Sequence, residues 1–282
     1  MIKQKIGYFL GHSILLRKIS MLSNIGLQTF KASKPPVLQS TKVINEIGFT
    51  KGPTCSPEEL EKALSIYKKR ISEVVPKEIG APFVNLMKDE DIDIDNPIVK
   101  LAFSKEILDA AIDYFGGKLL FESLQVLYSY PTSGNLRESQ HWHKDFGDSK
   151  SFHCVMYLND VNNIDQGPFV FVNRTDSKKM KKSMFVRRIN DSDFLKELGD
   201  GKVEYLYGSA GESILVDPAV CYHYGSRCKK GRLAIFFTFN TNTPYVIING
   251  LIQRNKEKFL EIGMQLRPDL DVAILKRMFE IK

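Results

Sequence analysis

The chain has no apolar run near the roughly 20 residues that a membrane-spanning helix needs. It has four cysteines among 282 residues, Cys55, Cys154, Cys221 and Cys228. Their spacings fit neither a zinc ribbon nor a disulfide framework, so they are expected to be reduced thiols of a cytoplasmic protein. No Gly-rich phosphate loop, Ser-His-Asp order, internal repeat or low-complexity segment is present, which argues against phosphate-loop and triad chemistry and against a solenoid. Acidic residues are missing from positions 1–45, where seven of the 40 lysines and arginines lie. The remaining 33 basic residues face 33 acidic ones, so the whole +7 excess belongs to this arm and the body is formally neutral. A neutral body does not favour nucleic acid as a partner.

What is present is an apolar fraction of 43%, ordinary for a globular protein, and enough length to bury a sizeable core in one domain. The expected division is a basic amphipathic arm over 1–45 and a single domain over 46–282. Within the arm, Ile14, Leu15, Ile19, Met21, Leu22, Ile25 and Leu27 alternate with Arg17 and Lys18. A helix drawn there carries an apolar stripe beside cations. Three readings are open: the stripe packs on the body, residues 1–33 lie in a membrane interface, or the segment is a transit peptide. Gly11, His12 and Ser13 break the apolar stretch that a secretory signal would need.

A helical prelude spans 56–116. Ser56-Pro57-Glu58-Glu59 combines a serine cap, a proline in the first turn and a glutamate three residues after the cap. That helix is expected to run to about Val75, and a second one from 104 to 115 is expected to stop at Gly116-Gly117. From about 119 to 245 the texture is that of short strands: Leu124–Tyr130, Gln140–Asp145, Phe152–Leu158, Pro168–Val172, Val203–Tyr207, Ser213–Val216 and Arg232–Asn240. Residues 173–202 interrupt them with Lys178, Lys179, Lys181, Lys182, Arg187 and Arg188, and helices return over 254–280. The fold class expected is mainly β with flanking helices: a jelly roll with one sheet covered by helices. In the last strand Leu233, Ile235, Phe237 and Phe239 share the face meant for the helices. Arg232, Ala234, Phe236 and Thr238 share the face meant for the interior. A buried arginine there needs an anionic partner.

His143 and Asp145 stand two apart, which on an extended strand aims both the same way. His223, from a distant strand, completes two imidazoles and one carboxylate. Such a set leaves one face of a metal open and suits Fe(II). His141 shares the face of His143 but has a histidine as its own i+2 partner, and His153 lies on a strand of mixed character, so neither is expected to bind the metal.

The runs YSYPTSGNLRESQHWHKD (128–145), SFHCVMYLNDV, QGPFVFV, AGESILVDPAVCYHYGS and GRLAIFF, in that order, resemble the phytanoyl-CoA dioxygenase family of Fe(II)/2-oxoglutarate oxygenases over residues 119–245. The resemblance implies a double-stranded β-helix, or cupin-like, fold. It implies His143, Asp145 and His223 as iron ligands and Arg232 as the partner of the distal carboxylate of 2-oxoglutarate, with Ser226 adding a hydroxyl. O2 would be the oxidant and ascorbate a reductant. Arginine's planar fork suits a carboxylate on independent grounds. Two departures stand out: His223 and Arg232 are only nine positions apart, and QGPFVFV is followed by Asn173-Arg174-Thr175 where the family has Gly-Ser-His.

The expected substrate is a small molecule or glycolipid, anionic in view of the cationic 178–188 stretch. One similar subgroup hydroxylates the Kdo sugar of lipopolysaccharide precursors at the inner membrane. The basic arm and the 77 residues between Asp145 and His223 are in keeping with it. Alternatives are a hydroxylase of a soluble metabolite or amino acid, and a non-catalytic jelly-roll protein that binds sugar or lipid.

Overall fold

The computed structural model describes residues 36–180, 188–244, 246 and 250–281. Residues 1–33 of the arm, and Lys181, Lys182 and Arg187, lie outside the described residues.

Two antiparallel sheets face each other. Strands β1 (Phe49–Thr54), β2 (Phe83–Asn85), β3 (Leu119–Ser129), β4 (Ser151–Tyr157), β7 (Glu212–Val216) and β9 (Arg232–Thr241) form the larger one, in the order β1-β7-β4-β9-β3-β2. The smaller has the order β6-β5-β8, from β5 (Phe169–Val172), β6 (Val203–Leu206) and β8 (His223–Tyr224). This is the expected jelly roll.

The pleat of β9 sorts its side chains as its sequence implies. Leu233, Ile235, Phe237 and Phe239 join Leu124 and Val126 of β3 in a core under the helices, with Ile107, Leu108, Phe259 and Phe279 above them. Ala234 and Phe236 face inward, packing with Val155, Tyr157, Phe169 and Phe171 between the sheets. A third cluster, with Trp142, Val170, Ile189, Phe194 and Tyr222, covers the outside of the small sheet. In it the Trp142 and Phe194 rings stack 3.9 Å apart.

The helices follow their caps. In α2 (Pro57–Arg70) the Glu59 amide donates to Ser56 Oγ at 3.2 Å and the Ser56 amide to Glu59 Oε2 at 2.9 Å. The regular helix stops at Arg70 and tightens into a 3-10 turn, Ile71–Glu73, short of Val75. Helix α3 (Lys105–Phe115) ends on Gly116 at φ 59°, as the Gly-Gly pair implies. Helix α1 (Gln39–Ile47) crosses position 45; Thr41 and Ile44 are buried, and Asp113 accepts from the amides of Val37 and Leu38 at 3.0 Å. Among the described residues no helix is long and apolar enough to cross a membrane.

The segment expected as a strand over Gln140–Asp145 is not a regular one. Residues 138–140 form a 3-10 turn, and those that follow pair singly with different partners. Trp142 bridges Ile189, His143 bridges His223, and the Asp145 amide donates to the Pro218 carbonyl at 2.9 Å. Among the described residues no neighbour runs alongside long enough to make a ladder. The extended backbone and its alternation of faces survive.

Candidate metal centre

His143 and His223 come together through the backbone. The His143 amide donates to the His223 carbonyl at 3.0 Å and the His223 amide returns the bond at 2.9 Å. Opposed residues of an antiparallel bridge share a face, so both rings point inward, with centroids 4.2 Å apart. Each ring is oriented by the carbonyl two residues before it: His143 Nδ1 donates to His141 O at 2.8 Å and His223 Nδ1 to Cys221 O at 3.1 Å. With Nδ1 carrying the proton, each Nε2 keeps a free lone pair. This is the arrangement that fixes metal-binding imidazoles elsewhere.

Both Nε2 atoms lie 3.6 Å from Asp145 Oδ1. One ligand atom from each of His143, Asp145 and His223 falls within 4.8 Å of the others, as a single ion requires. Burial and the neighbouring His223 hold the His143 pKa well below its usual value, so the ring stays neutral and able to ligate. Burial pushes the Asp145 carboxyl up. The surrounding imidazoles of His223, His153 and His143 overcome that and hold it below the usual carboxylate range. Phe169 and Phe171 stack on the His223 ring at 5.3 and 5.2 Å, which dries that side of the centre.

Arg232 is fully buried at the start of β9, on the interior face. Its Nη1 donates to the Gly167 carbonyl at 2.5 Å, and Nη2 reaches Ser226 Oγ at 3.1 Å and Ser129 Oγ at 3.3 Å. Among the described residues no carboxylate pairs with it, and its Nε has no partner. A buried guanidinium with an orphaned donor calls for an anion from outside the chain. A dicarboxylate fits that demand, and two imidazoles with one carboxylate fit a borderline divalent ion such as Fe(II).

The other site residues divide. Ser226, at φ 60°, touches Arg232 and shares a 2.9 Å hydrogen bond with Ser129. Ser129 escapes a reading of the sequence because its place depends on register: it sits directly across from Arg232 on β3. His141 is turned away, its Nε2 2.9 Å from the Leu136 carbonyl. His153 is closer in than its mixed strand suggests. Its Nε2 is 3.9 Å from Asp145 Oδ2, and burial pushes its pKa down to about 4. Glu122 is a further acid of the site, placed inward at a register break in β3 between Phe121 and Ser123. It accepts from Asn240 Nδ2 at 2.5 Å, and burial with the charges of Asp145 and Asp148 pushes its pKa up to about 8.

No protein-family model and no curated protein sequence matches this chain. Solved structures do match in shape. The non-heme alpha-ketoglutarate-dependent carbocyclase SnoK of nogalamycin biosynthesis is 14% identical, with a TM-score of 0.56 over 77% of this chain and 90% of its own. EctD from S. alaskensis, solved with 2-oxoglutarate and 5-hydroxyectoine, is 15% identical, with a TM-score of 0.52 over 74% and 78%. HygX from Streptomyces hygroscopicus, solved with nickel and 2-oxoglutarate, is 14% identical, with a TM-score of 0.50 over 72% and 86%. Likeness at this level of identity establishes that the chain shares its jelly-roll fold with these enzymes.

Proposed function

We propose that this protein is an Fe(II)/2-oxoglutarate-dependent dioxygenase that hydroxylates an organic substrate. What carries the reading is one conjunction: two imidazoles with Nδ1 committed to carbonyls and Nε2 free, converging on one carboxylate, in a fold that also buries an unpaired arginine. In this reading His143, Asp145 and His223 hold the metal. Arg232, supported by Ser226 and Ser129, takes the distal carboxylate of 2-oxoglutarate. Iron and cosubstrate, with O2, supply the oxidising chemistry when bound, and ascorbate would keep the metal reduced. The protein orients the ligands and excludes water, the latter through Phe169 and Phe171.

The closer assignment is to the phytanoyl-CoA dioxygenase-like oxygenases, supported by the motifs between Tyr128 and Phe237 in order. The substrate we favour is an organic anion. The Kdo sugar of a lipopolysaccharide precursor is one candidate, supported by the basic, acid-free arm, and a soluble acid is the other. In the first case residues 1–33 would rest on the inner membrane surface.

Anaerobic Fe(II) titration in the presence of 2-oxoglutarate tests the class: a weak visible charge-transfer band is expected, and its absence would favour a non-catalytic binding protein. Succinate release against Kdo-bearing lipid A precursors and soluble acids tests the substrate. Stimulation by soluble acids alone would remove the lipopolysaccharide reading. Deletion of residues 1–33 should weaken sedimentation with anionic vesicles and leave metal affinity in place.

A further inference from the structure

We infer that Arg188 recognises an anionic group, carboxylate or phosphate, of the substrate; this rests on the reading of the triad as the metal centre. The Trp142 amide donates to the Ile189 carbonyl at 3.1 Å and the Ile189 amide to the Trp142 carbonyl at 2.9 Å. That antiparallel bridge sets the register in which Arg188 lies opposite His143. Trp142 and Ile189 both point into the outer cluster. Alternation therefore turns Arg188 and His143 to the other face, the one toward the metal centre.

The guanidinium is half satisfied. Arg188 Nη2 donates to Glu138 Oε2 at 3.1 Å, while Nη1 is shielded from solvent and has no hydrogen-bond partner among the described residues. Glu138 is held at φ 40°, a conformation that non-glycine residues rarely adopt. The backbone is strained where it delivers the carboxylate that fixes one arm of the arginine.

Two arginines thus serve the interior from different layers. Arg232 stands on the large sheet across from Ser129, and Arg188 lies opposite His143 on the bridged segment beside the small one. A second buried donor without an acceptor makes sense if a second anion enters. The substrate would then be an acid held by a single face of the Arg188 fork, its other face being taken by Glu138.

Trp142 is the only tryptophan and lies one residue from His143 and across the bridge from Arg188, so its emission reports on this site. The full chain, with and without Mn(II) and 2-oxoglutarate, would be titrated with sodium phosphate and with sodium acetate. A saturable change in emission is expected with at least one, and which one names the anion. Arg188→Gln should weaken it at least about tenfold, the usual size of a lost charge-assisted hydrogen bond, and Arg188→Lys by less. Arg232→Gln should instead weaken the 2-oxoglutarate titration. Glu138→Gln, which leaves the arginine in place, should tighten anion binding and decides the matter if Arg188→Gln does not fold. No saturable change in the wild type, unchanged anion affinity in Arg188→Gln, weaker binding in Glu138→Gln, or loss of 2-oxoglutarate rather than of the anion in Arg188→Gln would each overturn the inference. An Arg188-dependent response in a chain that binds neither Mn(II) nor 2-oxoglutarate would uphold the anion site and count against the oxygenase reading.

Discussion

His143 and His223, 80 positions apart, exchange both of their backbone hydrogen bonds, so the main chain joins the two imidazoles before any ion does. The centre is preorganised, and side-chain changes there should cost metal more than they cost fold.

Replacing His143, Asp145 or His223 by alanine should lower Fe(II) affinity by more than about 100-fold, beyond the effect usual for outer-sphere changes. Calorimetric titration with Mn(II) under argon measures this. Far-ultraviolet circular dichroism of the three variants should match the wild type, since the bridging bonds are main-chain.

Arg232→Lys keeps a charge but loses the planar fork. Loss of one charge-assisted hydrogen bond, about 1.5–3 kcal/mol, corresponds to a roughly 10- to 100-fold weaker hold on 2-oxoglutarate. Equilibrium binding of the cosubstrate reads it. An unchanged affinity would remove Arg232 from its assigned role.

Acid should destabilise the metal-free protein through His143 and His153. Both are held below the usual histidine pKa by burial, His153 at about 4. Between that value and about 6.5 the unfolded chain binds protons that the folded chain does not, so stability falls as pH drops through this window. Thermal midpoints from pH 7 to pH 4 check this, and His153→Gln should flatten the slope.

Glu122 has the opposite sign. Its carboxyl pKa is raised to about 8, so between about 4.5 and 8 the folded state holds a proton that the unfolded state has lost. Its contribution to stability therefore declines as pH rises through that window. Glu122→Gln should raise the thermal midpoint of the metal-free protein at pH 8 and change it little at pH 5.

The residues that announce themselves in the sequence are those whose chemistry depends on local spacing. His143 and Asp145 are two apart, Ser56 and Glu59 form a cap, and β9 alternates faces along its length. What depends on register between distant strands is silent. Ser129 becomes a partner of Arg232 only by pairing across β3 and β9, and Glu122 turns inward only because the β3 register breaks beside it. Strand β1 carries no strand signal in the sequence, where Gly52 and Pro53 interrupt it. It is an edge strand with a register break between Lys51 and Thr54, where proline is tolerated. A Cβ on Gly52 would lie 2.4 Å from Ser213 Oγ, so close approach to β7 explains the glycine. Strand β8 is two residues long, too short for any periodic signal, yet it supplies His223.

His223 belongs to the thin three-stranded layer, with His143 bridged to it, and Arg232 to the six-stranded one. A keto acid reaching from the triad to that guanidinium would staple the layers across their apolar filling. Occupancy should then be felt as a mechanical event, with amide exchange slowing in β5 and β8 together, far more than in the thick sheet behind them.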